Sequence, residues 1–378
     1  MQDVFITKIH VEKVRHLQDF DITLSDTERK HLILTGKNGS GKTSLLEAMR
    51  DCIGKGQNIQ YEPAEYVIRN RYILTTSEVH IELSLDTMYD FPNTIFVYIP
   101  AERSKLTQPK SIEPINIEEK TKITLNASKD FLKYILNLDY RLYGAKTENN
   151  TALENTLEQW FDNFLMALRE IYDCPELKLQ RDTKNLVFKI EMPGREPFGL
   201  HEMADGYAAF LDIFMELLMR FESGDAVVEY EQPAIVLIDE IETHLHVELQ
   251  KRVLPFLTKM FPNVQFITTT HSPFIINSLE NAVIYDLENH EQLDGPFFYS
   301  YETIVESFLG TDMYSNQLKS YFERYKELCF KERSNEENEE FLRAKAELEI
   351  KSIPSTELYI AFQNLEKKRK AIKNDSSN

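Results

Sequence analysis

One eight-residue segment constrains the fold of this chain more than any other, the glycine-rich stretch GKNGSGKT at residues 36–43. It matches the pattern G-x-x-x-x-G-K-[ST] in full. The apolar stretch HLILTG, residues 31–36, predicts a short buried strand before it, and SLLEAMRDCI, residues 44–53, predicts a helix after it. A strand–loop–helix unit of this kind indicates an α/β fold whose loop N–H groups and helix N-terminus bind phosphate. The alternative is a chance glycine-rich turn, which does not explain why a predicted strand comes directly before the loop and a predicted helix directly after it.

The side chains of this loop predict ATP and Mg²⁺ as cofactors. Lys42 is expected to reach the β- and γ-phosphates, and the Thr43 hydroxyl is expected to bind Mg²⁺. The full phosphate-binding set predicted from the pattern is Gly36, Asn38, Gly39, Ser40, Gly41, Lys42, Thr43 and Ser44.

A second motif is an apolar strand that ends in two acids, AIVLIDE at residues 234–240. Two carboxylates at the end of a buried strand are costly to desolvate, so stability alone does not explain them. We expect Asp239 to hold Mg²⁺, directly or through water, and Glu240 to orient and polarise the attacking water. An apolar strand ending in Asp-Glu is common by itself, but together with the loop at 36–43 it indicates a nucleotide hydrolase.

The third motif, TTTHSP at residues 268–273, follows the next predicted strand. Ligands of α/β proteins bind at the C-terminal ends of the strands, so we expect His271 to lie beside the same site. There it could sense or hydrogen-bond the γ-phosphate. The alternative is a histidine with a structural role at a strand end.

The order of the predicted elements indicates one ATPase domain that is interrupted by an insertion. Strands and helices alternate after residue 202, which favours a parallel α/β sheet, and the first residues alternate in polarity like antiparallel strands. Four segments are predicted: 1–103, the first half of the ATPase domain; 104–194, a mainly helical insertion; 195–287, the second half; and 288–378, a C-terminal helical domain.

Composition limits the environment and the partners of the chain. Its 62 Asp and Glu against 43 Lys and Arg give a formal charge of −19, which repels nucleic acid at long range. Cys52, Cys174 and Cys329 are far apart and in no metal-ligand spacing, as expected of thiols in a reducing compartment. The first residues lack a signal-peptide pattern and no apolar run is long enough to span a membrane, so we expect a cytoplasmic protein without membrane contact.

The three motifs, in the order in which they occur along the chain, resemble those of the ABC-type ATPases of the RecF/SMC/OLD group. The opening stretch at residues 5–22 is similar to the group's first strands, and DEIETHLH at residues 239–246 is similar to its Walker B motif and D-loop. HEMADGYAAFL, residues 201–211, stands where the group carries its signature motif, and TTTHSP is similar to the segment with its switch histidine. The resemblance covers about residues 1–103 and 195–287. It implies an ABC-type P-loop ATPase head with an antiparallel β lobe and a parallel α/β core.

The same resemblance implies a head-to-tail homodimer. In this group the signature of one subunit completes the ATP site of the other, so Gly206 and the helix after it would face the partner's γ-phosphate. The chain departs from the LSGGQ-like pattern, because Ala204 stands where serine is usual. Losing that hydroxyl puts fast hydrolysis in doubt, whereas ATP-driven dimerisation could survive it. The alternative for MADGY, residues 203–207, is an ordinary turn before a helix.

The C-terminal pattern resembles that of ATPases from bacterial anti-phage operons, notably the Septu-type ATPase subunit. This implies a separate effector, an HNH-type nuclease, with any nucleic-acid contact made through that partner. A plain helical dimerisation tail is the alternative. Residues after 288 do not offer the acidic cluster of the Toprim nuclease that follows the ATPase in OLD proteins.

Two other functions are compatible with these motifs. One is a RecF-like DNA-repair ATPase that binds DNA directly, against which the charge of −19 stands. The other is a scaffold that binds ATP without hydrolysing it.

Tyr98–Arg103 (YIPAER) resembles a segment common in OLD-like members, but the residue equivalent to the glutamine of the Q-loop cannot be assigned from it. Arg15 and His16 are weak candidates for nucleotide contact.

Overall fold

The computed structural model describes most of the chain, in two compact units. The described residues are 4–58, 67–68, 71–84, 94–104, 106–109, 111, 123, 126–182, 185–222, 227–295, 316–331, 333–351 and 357–375. The units comprise residues 1–304 and 305–378. Each is described separately below.

A mixed sheet in the order β14-β13-β3-β12-β11-β7 forms the centre of the first unit. Its strands are β3 (His31–Thr35), β7 (Ile95–Ile99), β11 (Ala234–Ile238), β12 (Val264–Thr269), β13 (Ala282–Asp286) and β14 (Glu291–Asp294). All neighbours are parallel except β13 and β14. Every residue of β11, β12 and β13 is buried, as expected for strands that are covered on both faces. The C-terminal ends of β3, β11 and β12 therefore meet at one edge.

An antiparallel sheet packs beside it, in the order β2-β1-β6-β5-β4. Its strands are β1 (Phe5–Val14), β2 (Leu17–Thr23), β4 (Val67–Ile68), β5 (Arg71–Thr75) and β6 (Val79–Ser84). Strand β6 alternates buried and half-buried residues, so that one face packs on a core shared with helix α1 (Lys42–Asn58) and the central sheet. The predicted combination of an antiparallel lobe and a parallel α/β core is confirmed.

Helices and a small sheet lie between β7 and helix α4 (Asp205–Arg220). The helices are α2 (Phe131–Thr147) and α3 (Thr151–Tyr172), and the sheet contains β8 (Lys178–Asp182), β9 (Val187–Glu191) and β10 (Phe198–Gly199). Aromatic rings join α3 to its neighbours, since the ring of Phe164 lies 5.3 Å from that of Phe131 of α2 and stacks on Phe214 of α4 at 6.5 Å. Helix α5 (Val247–Met260) and the short helix α6 (Pro273–Ile276) complete the unit.

The second unit contains helices α7 (Asn316–Cys329), α8 (Asn335–Lys351) and α9 (Glu357–Asp375). One apolar core holds them together, with Tyr325, Phe341 and Phe362 almost completely buried. A C-terminal helical region is thus observed, but the boundary predicted at residue 288 needs correction. Strand β14 lies beyond that residue and pairs with β13, because its backbone completes the edge of the central sheet. Of the predicted helical segment, residues 296–315, 332, 352–356 and 376–378 lie outside the described ranges.

Among the described residues, no helix combines the length and apolar character needed to cross a lipid bilayer.

Candidate functional site

The glycine-rich loop has the backbone that its sequence predicts. Gly36, Gly39 and Gly41 have φ angles of 130°, 86° and 97°, which side chains larger than hydrogen rarely tolerate. A Cβ on Gly41 would lie 2.8 Å from Leu17 Cδ1 and 3.3 Å from His16 Cε1. The β1–β2 turn with Arg15 and His16 therefore packs beside the loop, and contact of either side chain with a nucleotide stays a prediction.

Lys42 begins helix α1 with its side chain folded back over the loop. Its Nζ donates to the carbonyl oxygens of Gly36 at 2.9 Å and Lys37 at 3.1 Å. Burial lowers the pKa of this ammonium. Four carboxylates lie close enough to oppose that shift: Glu240, Glu242, Asp239 and Asp286. Lys42 is therefore a buried cation at the mouth of the loop, where a bound phosphate could accept charge-assisted hydrogen bonds from it.

The loop and the end of β11 meet through a hydrogen bond between residues 196 positions apart in sequence. Thr43 Oγ1 donates to Asp239 Oδ1 at 3.1 Å, and Thr269 Oγ1 donates to the same oxygen at 2.6 Å. Asp239 is only 3% exposed. The two predicted metal ligands, Thr43 and Asp239, are thus side by side, and Thr269 orients the carboxylate.

Glu240 stands next to this pair in an unusual backbone conformation. Its φ angle is +43°, in the left-handed region that a non-glycine residue seldom adopts. Its backbone N–H donates to Thr269 Oγ1 at 2.7 Å, and Thr243 Oγ1 donates to its Oε2 at 3.4 Å. Backbone strain of this kind is found where the surrounding structure fixes a functional side chain.

His271 lies at the end of β12 and is half-buried. Its backbone N–H donates to Glu242 Oε1 at 2.5 Å. Burial lowers the pKa of the imidazole, the Lys42 charge lowers it further, and Glu240 opposes both. His271, Lys42 and Glu240 therefore share one electrostatic environment, as the position of His271 after β12 predicts.

The lowered pKa of His271 can be tested directly. We expect its imidazole to titrate below the ordinary 6.5 and to be neutral at pH 7. In Lys42→Ala, loss of the neighbouring cation makes protonation easier, so the midpoint should rise toward 6.5. Two-dimensional NMR of protein with isotope-labelled histidine measures both values. A wild-type midpoint at or above 6.5 would contradict this description.

Gly206 is in the first turn of α4, which begins after Ala204. The Ala204 side chain makes no capping hydrogen bond, in keeping with the absence of the usual serine hydroxyl. A Cβ on Gly206 would lie 3.0 Å from the carbonyl oxygen of His244, so the turn packs on the chain that follows Glu240. The contact of Gly206 with a second subunit stays a prediction.

The assembled residues fit Mg·ATP. The Ser40 hydroxyl is buried and has no hydrogen-bond partner among the described residues, so it is available to a phosphate oxygen. Thr43 and Asp239 supply the hard oxygen ligands that Mg²⁺ prefers. Two protein ligands are typical of a Mg²⁺ site in which phosphates and water provide the other ligands. Asn38 and Gly39 are exposed on the loop, and Ser44 is half-buried in the first turn of α1.

Three further residues of this edge were not predicted as site residues: Arg103, Glu242 and Thr269. Arg103 follows β7, and its guanidinium donates to the backbone oxygens of Asp239 and Glu240. Thr269 belongs to the quoted TTTHSP motif, but three consecutive threonines do not reveal which one bonds to Asp239. Glu242 lies within DEIETHLH, where the spacing alone does not show that it faces His271.

Residues 32–277 match the AAA_21 family model, which is described as "AAA domain, putative AbiEii toxin, Type IV TA system". The chain is similar to the Septu protein PtuA of Bacillus mycoides (strain KBAB4), with 26% identity over 372 residues, 90% of this chain and 49% of PtuA. It is also similar to the Retron Ec83 probable ATPase of Escherichia coli, with 26% identity over 180 residues, 47% of this chain and 31% of that protein. The chain thus spans about half the length of the first relative and about a third of the second.

Among solved structures, the chain is similar to an SMC head bound to the C-winged helix domain of ScpA. The TM-score is 0.42 at 15% identity, and the match covers 75% of this chain and 94% of the SMC head.

Proposed function

The chain belongs to the AAA_21 family, and from this membership and the geometry of the site we propose that it binds and hydrolyses ATP with Mg²⁺. The observation that carries this proposal is the hydrogen bond between Thr43 and Asp239, which joins the phosphate-binding loop to the acidic end of β11. Mg²⁺ bound there would neutralise charge on the phosphates.

Each side chain at this edge then has a defined task. Lys42 binds the β- and γ-phosphates, and the loop N–H groups and Ser40 Oγ surround them. Thr43 and Asp239 would hold the metal ion. Glu240 orients and polarises the attacking water, and neutral His271 hydrogen-bonds the γ-phosphate and reports its presence. An assay of phosphate release tests this assignment. We expect release to require both ATP and Mg²⁺.

The proposal extends to a homodimer with two shared ATP sites. The first turn of α4, with Gly206, offers backbone N–H groups at a helix N-terminus that suit a partner's γ-phosphate. We expect the mass in solution to double when Mg·ATP is added and to return to that of the monomer after the nucleotide is removed. Light scattering after size-exclusion chromatography measures this. Lys42→Ala, which should bind ATP much more weakly, is the control, and a wild-type mass that ATP does not change would contradict the dimer.

The biological role that we propose is anti-phage defence through a separate effector, a nuclease of the HNH type. The similarity to a Septu protein and a retron ATPase supports this role. The charge of −19 is compatible with an ATPase that leaves nucleic-acid contact to its partner. The product of the neighbouring gene should co-purify with the chain as a stable complex. An unrelated neighbour and the absence of a complex would count against the effector, and salt-sensitive DNA binding by the chain alone would favour the RecF-like alternative.

A further inference from the structure

Arg103 is a buried cation at the edge of the sheet where the ATP site lies. It is 9% exposed and follows β7, the neighbour of β11. Its Nη2 donates to the carbonyl oxygens of Asp239 at 3.0 Å and Glu240 at 2.9 Å, and its Nη1 donates to that of Pro100. Burial lowers its pKa, and the nearby carboxylates, with Asp212 the strongest, oppose that shift. A guanidinium held among carboxylates stays charged, so these are charge-assisted hydrogen bonds.

These contacts hold the two peptide units that flank Glu240. In the first unit, the Asp239 carbonyl accepts from Arg103 and the Glu240 N–H donates to Thr269 Oγ1. In the second, the Glu240 carbonyl accepts from Arg103 and the Ile241 N–H donates to the Thr269 carbonyl at 3.2 Å. Both units are therefore fixed on one side by Arg103 and on the other by Thr269.

The residue held in this way has a strained backbone. Glu240 keeps its φ of +43° only if the surroundings compensate for the cost of that conformation. Arg103 meets this requirement because its Nη1 bonds to the Pro100 carbonyl, so that Nη2 of the same rigid plane is held between the carbonyls of Asp239 and Glu240. A lysine ammonium is a single point charge on a flexible stem and would not hold both peptide units in the same geometry.

A second contact fixes the Arg103 segment itself. The N–H of the next residue, Ser104, donates to Asp212 Oδ2 at 3.1 Å, and Asp212 is a buried residue of α4. The positions of Arg103 and of helix α4, which begins next to Gly206, are thus connected through the buried Asp212 carboxylate.

We propose that Arg103 is a positioning residue that fixes the backbone of Glu240 and so aims its carboxylate at the attacking water. The inference rests on the proposed ATPase function. Arg103 does not touch the phosphates in this arrangement; it acts through the backbone of Asp239 and Glu240. Its loss should therefore slow turnover while leaving the affinity for ATP almost unchanged.

The test compares Arg103→Lys with wild type and with a matched control, Arg220→Lys. Arg220 is also a buried arginine; it bonds to Glu216 Oε1 at 2.8 Å and to the Phe96 carbonyl of β7 at 3.3 Å, away from Glu240. All proteins are assayed at a temperature where circular dichroism shows them folded. We expect Arg103→Lys to lower kcat about tenfold or more with the Kd for ATP changed less than about threefold, and Arg220→Lys to keep kcat within about threefold.

A double variant separates positioning from general stabilisation. If Arg103 acts through Glu240, Arg103→Lys combined with Glu240→Gln should be no slower than Glu240→Gln alone, because the carboxylate to be aimed is already gone. Multiplying effects in the double variant, or equal losses of kcat in Arg103→Lys and Arg220→Lys, would overturn the inference while leaving the ATPase function intact. A wild type no faster than Glu240→Gln would overturn both.

Discussion

Lys42→Ala is expected to weaken Mg·ATP binding by about 100-fold or more. The ammonium is buried at the mouth of the glycine-rich loop and is held there by two loop carbonyls, so it is in place before the nucleotide arrives. Its removal would leave the proposed phosphate site with several carboxylates and without this cation. Titration with a fluorescent ATP analogue measures the Kd.

Lys37 provides the control in the same loop. Its ammonium is largely exposed and pairs with Glu288 Oε1 at 2.6 Å. An exposed ion pair contributes little, so Lys37→Ala should change the Kd by less than about threefold. Equal affinities of Lys42→Ala and wild type would contradict the role of Lys42, and equal losses in both variants would mean that loop charge in general, not Lys42, binds the phosphates.

Asp239→Asn is expected to lower Mg²⁺-dependent turnover by about 100-fold or more. Asparagine has nearly the same shape and keeps an oxygen that can accept from Thr43 and Thr269, so the fold of this edge should persist. The change removes the negative charge that the metal ion requires. Phosphate release measured over a range of Mg²⁺ concentrations should show both a lower maximum and a weaker dependence on the ion.

A matched control for this change exists at the end of β13. Asp286 is also fully buried, and it accepts from the Glu288 N–H at 2.8 Å and from Asn289 Nδ2 at 2.7 Å. Asp286→Asn neutralises an acid at the same edge of the sheet without touching Thr43. We expect its turnover to stay within a few-fold of wild type. Similar losses in the two variants would count against Asp239 as the metal ligand.

The sequence predicted the elements that local patterns encode. The strand–loop–helix around residues 36–43 and the buried strands with polar ends each have a strong short-range pattern, and the structure contains both. The meeting of β3, β11 and β12 at one edge followed from a general rule about parallel sheets. That rule brought Thr43, Asp239 and His271 into one site without any knowledge of long-range contacts.

Contacts that depend on distant partners could not be predicted in this way. Arg103 donates to the backbone carbonyl of a residue 136 positions later. Because every residue has such a carbonyl, the residue type does not show which one accepts the hydrogen bond. The left-handed conformation of Glu240 was equally hidden, because glycine or asparagine is the usual sign of a positive φ. The short strand β14 falls in the predicted C-terminal helical segment because its sequence, EQLD, is polar. It is the edge strand of the central sheet and pairs only with β13, so it does not need the apolar pattern of a buried strand.

The most direct test of the central claim is the rate of phosphate release by wild type and by Glu240→Gln, measured side by side with Mg·ATP. Glutamine keeps the size of the side chain and an oxygen that can accept from Thr243, but it cannot accept a proton from water. We expect wild type to be about 100-fold faster or more, with the two proteins binding ATP equally well. A wild type that releases phosphate no faster than Glu240→Gln would contradict the claim that this chain is an ATPase.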